Sequence, residues 1–212
     1  MFDGFGPEVF WWFDGLERDN SREYFTRTRD LYEREVRGQL EDLLMELGGG
    51  EVKVFRQHRD LRFSRDKRPY KERTYGVAGG LYVQLSARGM YVGTGYYRVE
   101  SDQLERFRAA VADDETGPVL ESALAKAKLD VAGASLKTAP RGYPRDHPRI
   151  ELLRRKQLIV GKSLAGDGGI ARDPALELAR RVRKASAPVV AWLDEHVGAT
   201  TAPTPSRFAR GR

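Results

Sequence analysis

The 212-residue chain contains no cysteine. That removes disulfides, thiolate catalysis, iron–sulfur clusters and zinc sites built on thiolates. Its three histidines, His58, His147 and His196, are scattered without the close spacing of metal ligands. No histidine metal site is therefore expected, while Asp and Glu ligation of Mg2+ stays open. The phosphate loop Gly-x-x-x-x-Gly-Lys-Ser/Thr and the elbow Gly-x-Ser-x-Gly are both missing. Gly93-Thr-Gly95 alone is too little for a dinucleotide site, so no cofactor is expected. Long apolar runs are lacking too. The stretch Ala187 to Leu193 contains Pro188 and falls far short of a membrane span. The opening Met1-Phe-Asp-Gly-Phe-Gly-Pro7 has neither the positive leader nor the apolar core of a signal peptide. The expectation is a soluble cytoplasmic protein with no membrane partner.

What the chain does have is one concentrated charge. Lys and Arg number 37 against 31 Asp and Glu, a net charge of +6. Residues 53–73 hold nine basic and three acidic residues, which is the whole of that excess. The rest of the chain is balanced, so this is not a generically basic protein. Arginine is favoured over lysine throughout, an arginine-rich bias that a GC-rich genome would produce without any functional demand.

The local patterns predict helices mixed with antiparallel strands, hence an α+β fold. The sheet is expected to be mainly antiparallel, with a long N-terminal helix and C-terminal helices packed on it. One domain is expected over residues 1–197. A disordered basic tail is expected over 198–212, which has no acidic residue and no periodicity. Six aromatics between Phe2 and Phe13 are expected to anchor a short first helix, 7–16, on the core. Asn20-Ser-Arg-Glu23 reads as a capping box with Asn20 as N-cap, opening one helix that runs to Gly48. Gly80–Ala87 and Gly89–Val99 read as a hairpin about Arg88-Gly89. Helices are expected from Ser101, over 118–128, from about His147 to Arg154, and from Asp173 to His196 with a break near Pro188. Strands are expected at 135–138 and 157–161.

The cationic segment itself reads as an extended stretch from Val52 to Ser64, ended by a loop because Pro69 restrains Arg68. On a strand, Asp60, Arg62 and Ser64 would share one face and Leu61 and Phe63 the other. Lys67 and Lys71 would lie in or just after the loop. Such a set suits an anion. Arg62 offers a planar fork, the lysines offer point charges, Ser64 and Tyr70 can donate hydrogen bonds, and Asp60 or Asp66 can orient an arginine or take a proton.

The run Arg59-Asp-x-Arg62-Phe63-Ser64-x-Asp66-Lys67-x-Pro69-Tyr70-Lys71 resembles the signature of an uncharacterised microbial family, domain of unknown function 2461. Asn20-x-Arg22-Glu23-x-Phe25, Gly95-x-Tyr97, Pro140-Arg-Gly-x-x-x-Asp146-His147-Pro148 and Leu153-x-x-Lys156 resemble the same family. The resemblance spans about residues 5–162. It implies no particular activity, cofactor or catalytic residue. It does place Arg59, Arg62 and Lys67 on motif positions, and Arg65 and Arg68 on variable ones. One departure is Asp19-Asn20-Ser21, where the family commonly has an Asn pair. The resemblance also draws attention to His147, a candidate proton donor or a loop-fixing residue.

Three functional readings follow. The first is a pocket for a small phosphate- or carboxylate-bearing ligand, possible hydrolytic or transfer chemistry included. In it Arg59, Arg62, Ser64, Lys67, Tyr70 and Lys71 bind, and Asp60, Asp66 and His147 are the candidate catalytic groups. The second is nucleic-acid binding, with Phe55, Tyr70 and Tyr75 available for stacking, although a protein gripping many phosphates usually spreads its charge over a face. The third is a structural or interaction module whose motif is a salt-bridge network. Enzymatic activity and oligomeric state are not determined by these residues.

Overall fold

The structure is a computed structural model and describes residues 1–62 and 66–202. It is α+β. Six strands form an antiparallel sheet in the order β2-β3-β4-β5-β7-β6. They are β2 (Lys53–Val54), β3 (Arg73–Ala78), β4 (Leu81–Ser86), β5 (Gly89–Tyr96), β6 (Asp130–Ala132) and β7 (Leu158–Ala165). A separate two-stranded pairing joins β1 (Gly4–Phe5) to β8 (Ile170–Ala171). Contacts cluster into two compact units. One comprises Met1–Thr94 with Gly161–Lys184, and the other comprises Gly95–Val160 with the chain from Ala185.

In the first unit, helix α1 (Pro7–Arg18) begins with Pro7 in its first turn and buries Val9, Phe10, Trp12, Phe13 and Leu16. Phe2 and Phe5 are also buried, whereas Trp11 is 66% exposed, so the aromatic entry segment is core with one exception. The single helix expected from residue 20 to 47 is instead a succession: α2 (Arg22–Arg27), α3 (Arg29–Leu31), a π-helical stretch (Tyr32–Gly38) and α4 (Gln39–Leu47). The break at Thr28 has a local cause. The Thr28 backbone N–H and hydroxyl both donate to the Tyr24 carbonyl, and the hydroxyl accepts from Trp12 Nε1 at 2.8 Å. A threonine that bonds back to the preceding turn bends a helix. The N-cap is Ser21, whose hydroxyl accepts from Tyr24 N at 3.0 Å, rather than Asn20.

Strands β3, β4 and β5 pair in simple antiparallel register, with Thr74 opposite Leu85 and Val83 opposite Val92. Strict alternation buries Leu81, Val83 and Leu85 on one face and leaves Tyr82, Gln84 and Ser86 partly exposed on the other. Helix α4 packs on the buried face. Gly76 makes this possible, because a Cβ there would collide with the Leu44 side chain and the Lys53 carbonyl.

The second unit contains α5 (Ser101–Ala112), α6 (Thr116–Ala127), α7 (Ile150–Leu153) and the end of α8 (Arg172–His196). The cap of α5 is Glu100, whose N–H is held by Gln103 Oε1 at 3.0 Å, one residue before the expected Ser101. The strand expected at 135–138 reduces to a single bridge between Ser135 and Arg155, while 130–132 pairs instead. The helix expected from His147 begins at Ile150. Helix α8 continues through Pro188. Gly198 O accepts from Gln103, Ala199 O from Arg106, and Thr200 and Thr201 donate to Asp102. The remainder of the expected tail lies outside the described residues. Among the described residues no helix is long and apolar enough to cross a membrane.

Candidate functional site

The cationic segment does not form the long strand expected from Val52 to Ser64. Only Lys53–Val54 is strand. Beyond it the chain stays extended and pairs in pieces with the residues after Pro69. Phe55 N donates to Tyr75 O at 2.9 Å, Lys71 N to Gln57 O at 3.0 Å, and Arg59 N to Pro69 O at 2.9 Å. His58 and Tyr70 therefore face each other as a bridge pair. The described residues between them form loop segments, and Asp60 and Arg62 stand there rather than on a strand face. Ser64 lies outside the described residues.

Two copies of the same local device build the loop. In Asp60-Leu-Arg62, Asp60 Oδ1 accepts the Arg62 backbone N–H at 3.2 Å and Nε at 2.9 Å, and Oδ2 accepts Nη2 at 2.6 Å. In Asp66-Lys-Arg68, Asp66 accepts the Arg68 backbone N–H at 3.1 Å, Nε at 3.0 Å and Nη2 at 2.7 Å. Each aspartate thus folds back on the arginine two residues later, a side-chain turn combined with a guanidinium fork. Asp66 also accepts from Arg59, seven residues earlier, and Arg68 reaches on to Glu72. Asp66 thereby closes the loop upon itself. Arg68, which the family resemblance put at a variable position, is a full member of this network.

These bonds govern the charge states. The Arg62 side-chain hydrogen bond, then its backbone N–H, hold the Asp60 carboxyl well below the usual carboxylate range. Arg68 does the same to Asp66, with Arg59 adding to it. Reciprocally, Asp60 raises Arg62 and Asp66 raises Arg68. A carboxylate held so low is a weak proton acceptor near neutral pH. The lysines are committed to the backbone. Lys67 Nζ donates to Leu61 O at 3.3 Å and Lys71 Nζ to Arg56 O at 2.6 Å.

Tyr70 is an internal residue, 3% exposed. Its ring stacks on Phe25, with centroids 4.2 Å apart and planes at 9°, and Phe25 in turn meets Trp12 and Tyr32. Because Tyr70 sits in a bridge pair whose bonds are made by its neighbours, its own N–H and C=O point away from His58. Asn20 takes both: Oδ1 accepts from Tyr70 N at 3.0 Å, and Nδ2 donates to Tyr70 O at 3.2 Å. Beside it, Gln57 donates to Lys71 O and accepts from Thr74 Oγ1 at 2.7 Å, with both Gln57 and Thr74 buried. Asn20, Gln57 and Thr74 were not singled out as site residues from the sequence. Asn20 carried a signal in its motif, but it was read as a helix cap.

His147 belongs to the second unit. Its Nδ1 accepts the Arg149 backbone N–H at 3.0 Å, which leaves Nε2 as the protonated nitrogen of the neutral ring. The turn aims Arg149 at the end of α5. There Nε donates to Val111 O at 2.6 Å, and Nη2 to Ala112 O at 2.9 Å and Asp114 Oδ1 at 2.8 Å. The Asp146-His-Pro-Arg149 run therefore serves as a helix C-cap delivered by another segment. Nearby, Tyr96, Val99, Leu104, Phe107 and Leu193 line a small apolar cleft, and none of the candidate residues lines it.

The match to known families can be set against this geometry. Residues 8–192 match the family described as Conserved hypothetical protein (DUF2461). The chain belongs to this family. No curated protein and no solved structure matches the chain. Within the family's span, the signature residues Arg59, Asp60, Arg62 and Asp66 form ion pairs with one another and, through Asp66, with Arg68, which reaches on to Glu72. Among the described residues no group of three or more His, Asp or Glu gathers in a way that could hold a metal ion.

The cationic segment also borders an aromatic surface, of which the sequence points to Phe55 and Tyr75 for stacking but not to Tyr82 or Tyr91. Phe55, Tyr75, Tyr82 and Tyr91 form a row across adjacent strands, with successive ring centroids 4.9, 5.4 and 6.4 Å apart. They lie on the sheet face opposite the packed helix α4. The tyrosines recur at strand-face positions, which is the sequence signal that could have revealed them.

Proposed function

We propose that this protein is an interaction module in which the family signature is a fold-holding salt-bridge network. The observation that carries this reading is Asp66, which binds both Arg59, seven residues before it, and Arg68, two residues after it. An anion pocket calls for cations with donors to spare, directed at a common point. In this loop each guanidinium named above is turned onto a carboxylate, and each lysine onto a carbonyl. These pairs are part-exposed, so each alone is worth little, and it is the bidentate geometry and the joining of several charges in one network that give the motif a stabilising role without any ligand.

The competing reading, a small phosphate or carboxylate ligand held by Arg62, Lys67 and Lys71, draws support from the exposure of Arg62, whose side chain is 77% accessible. Thermal denaturation with and without inorganic phosphate separates the two. The network reading expects Asp66→Asn to lower the Tm and Lys67→Ala to leave the response of the Tm to phosphate unchanged. A phosphate-induced rise in Tm that Lys67→Ala or Arg62→Ala abolishes would overturn it in favour of the pocket.

A further inference from the structure

The row of rings is accompanied by positive charge. Lys53 Nζ lies 5.3 Å from the centre of the Phe55 ring, and Lys71 Nζ lies 4.7 Å from the centre of the Tyr75 ring. Arg73 is exposed and, by alternation along β3, shares the face of Tyr75. Register places the rest on the same side: Lys53 opposite Val77, Val77 opposite Tyr82, Tyr75 opposite Gln84 and Gln84 opposite Tyr91. The four strands that make this face, β2 to β5, contain no Asp or Glu at all. The face is thus aromatic, partly exposed, and positive along its β2–β3 side.

We propose that this face binds single-stranded nucleic acid. The inference deepens the reading of the protein as an interaction module by naming its partner. A nucleotide unites the two things the face offers to receive: a planar π system and, beside it, a phosphate. Bases of any sequence stack on aromatic side chains, and lysines next to the rings track the backbone. In the free protein the ammonium groups of Lys53 and Lys71 rest against the rings as cation–π pairs. On binding, the Lys53 ammonium moves to a phosphate and yields the Phe55 ring to a base, while Lys71 keeps its bond to the Arg56 carbonyl and adds positive potential beside Tyr75. A duplex hides its base faces within its own stack and offers nothing to the rings. An acidic peptide matches the charge and lacks the planar groups. A neutral sugar chain stacks without needing the lysines. The charge complementarity and the ring row together therefore select an unpaired polynucleotide chain.

Fluorescence anisotropy with labelled dT12, rU12 and a 12-bp duplex tests this, with poly-glutamate as competitor. The whole chain is used, at salt concentrations from 25 to 200 mM. The expected result is binding of the single strands that falls linearly with log salt, weaker binding of the duplex, and poor competition by poly-glutamate. Comparing dT12 with rU12 shows whether DNA or RNA is preferred. Tyr75→Leu and Phe55→Leu keep apolar bulk and remove the π face, and together they are expected to weaken binding about tenfold or more. Lys53→Gln, at an exposed position, is expected to lower the salt slope by about one unit. The proposal is overturned if the wild type does not bind single strands at 25 mM salt, or if duplex or poly-glutamate binds equally well. Unchanged binding by the leucine variants also overturns it. Should those variants not fold, an unchanged salt slope in Lys53→Gln does so. The network reading is tested by the Tm of Asp66→Asn with no oligonucleotide present, so the two ideas fail separately.

Discussion

Replacing Asn20 with aspartate changes one NH2 group into an oxygen and nothing else in shape. The structure gives that exchange a definite cost. Asn20 is bonded to both backbone groups of Tyr70, accepting from its N–H at 3.0 Å and donating to its C=O at 3.2 Å. An ionised aspartate can still accept from the N–H. Its second oxygen then faces the Tyr70 carbonyl, acceptor against acceptor. A backbone group stripped of its partner in a part-buried site costs about 1–3 kcal/mol, so Asn20→Asp is expected to lose about that much. Asn20→Ala orphans both groups, and a loss of about 2–4 kcal/mol follows on the same scale. For a chain of this length, 1 kcal/mol moves the melting temperature by about 2–4 °C, so the alanine variant should melt roughly 5–15 °C lower. Thermal denaturation followed by tryptophan fluorescence is a suitable assay, since Trp12 is buried and contacts Phe25, on which Tyr70 stacks. The aspartate variant carries an internal control. Below about pH 4 its carboxyl is protonated and regains a donor, so its deficit relative to the wild type should shrink. If Asn20→Asp is as stable as the wild type at pH 7, or its deficit does not depend on pH, Asn20 is not the clamp described here.

Other outcomes can be measured. Arg149→Ala should destabilise by about 2–4 kcal/mol in urea unfolding, because four bonds, to the carbonyls of Val111, Ala112 and Asp113 and to Asp114 Oδ1, are lost from a side chain only 7% exposed; Arg149→Lys should rescue little, lacking the fork. Asp60, Asp66, Asp102 and Asp113 are all held below the ordinary carboxylate range by hydrogen bonds. Their stabilisation is complete above about pH 4 and is lost as pH falls through their lowered folded values. A pH series of melting curves should therefore decline on the acid side, and less steeply in Asp66→Asn. Tyr96 is pushed up to about 12 by burial and by its hydrogen bond to Asp194. Its contribution is complete below about pH 10 and is lost as pH rises through 12, so Tyr96→Phe should flatten the alkaline limb. Gly95 has φ +124 and its backbone closely approaches that of Leu158, so Gly95→Ala should lower the Tm through strain and collision together.

Parts of this architecture were legible in the residues, for physical reasons that can be named. The hairpin of β4 and β5 was visible because alternation along Leu81–Ser86 is strict and the turn at Ala87-Arg88 is short. Helices α5 and α6 were visible from their apolar spacing, although the cap of α5 moved to Glu100. The long helix failed at Thr28 because a hydroxyl with two partners outweighs periodicity, and periodicity does not report such bonds. Pro188 misled in the other direction, since helix α8 carries it without ending. In the candidate site, composition located the charge, while pairing remained hidden. Asp60-x-Arg62 and Asp66-x-Arg68 have the same spacing, but a spacing of two fits a strand face as well as a side-chain turn, so the residues alone do not distinguish them. Arg59 to Asp66 was not readable either, because their meeting depends on the loop closing. Asn20 and Tyr70 are fifty residues apart, and only the fold brings them together. The aromatic row needed the register of four strands before it became a surface.

The central claim is that the signature holds the fold together through Asp66. A double-mutant cycle on Arg59 and Asp66, read as urea midpoints for Arg59→Ala, Asp66→Ala and the double variant, tests it most directly. Residues that share a bond are not additive. The account predicts that each single variant is less stable than the wild type and that the double variant loses clearly less than the two losses combined. Strict additivity, or single variants as stable as the wild type, would contradict it.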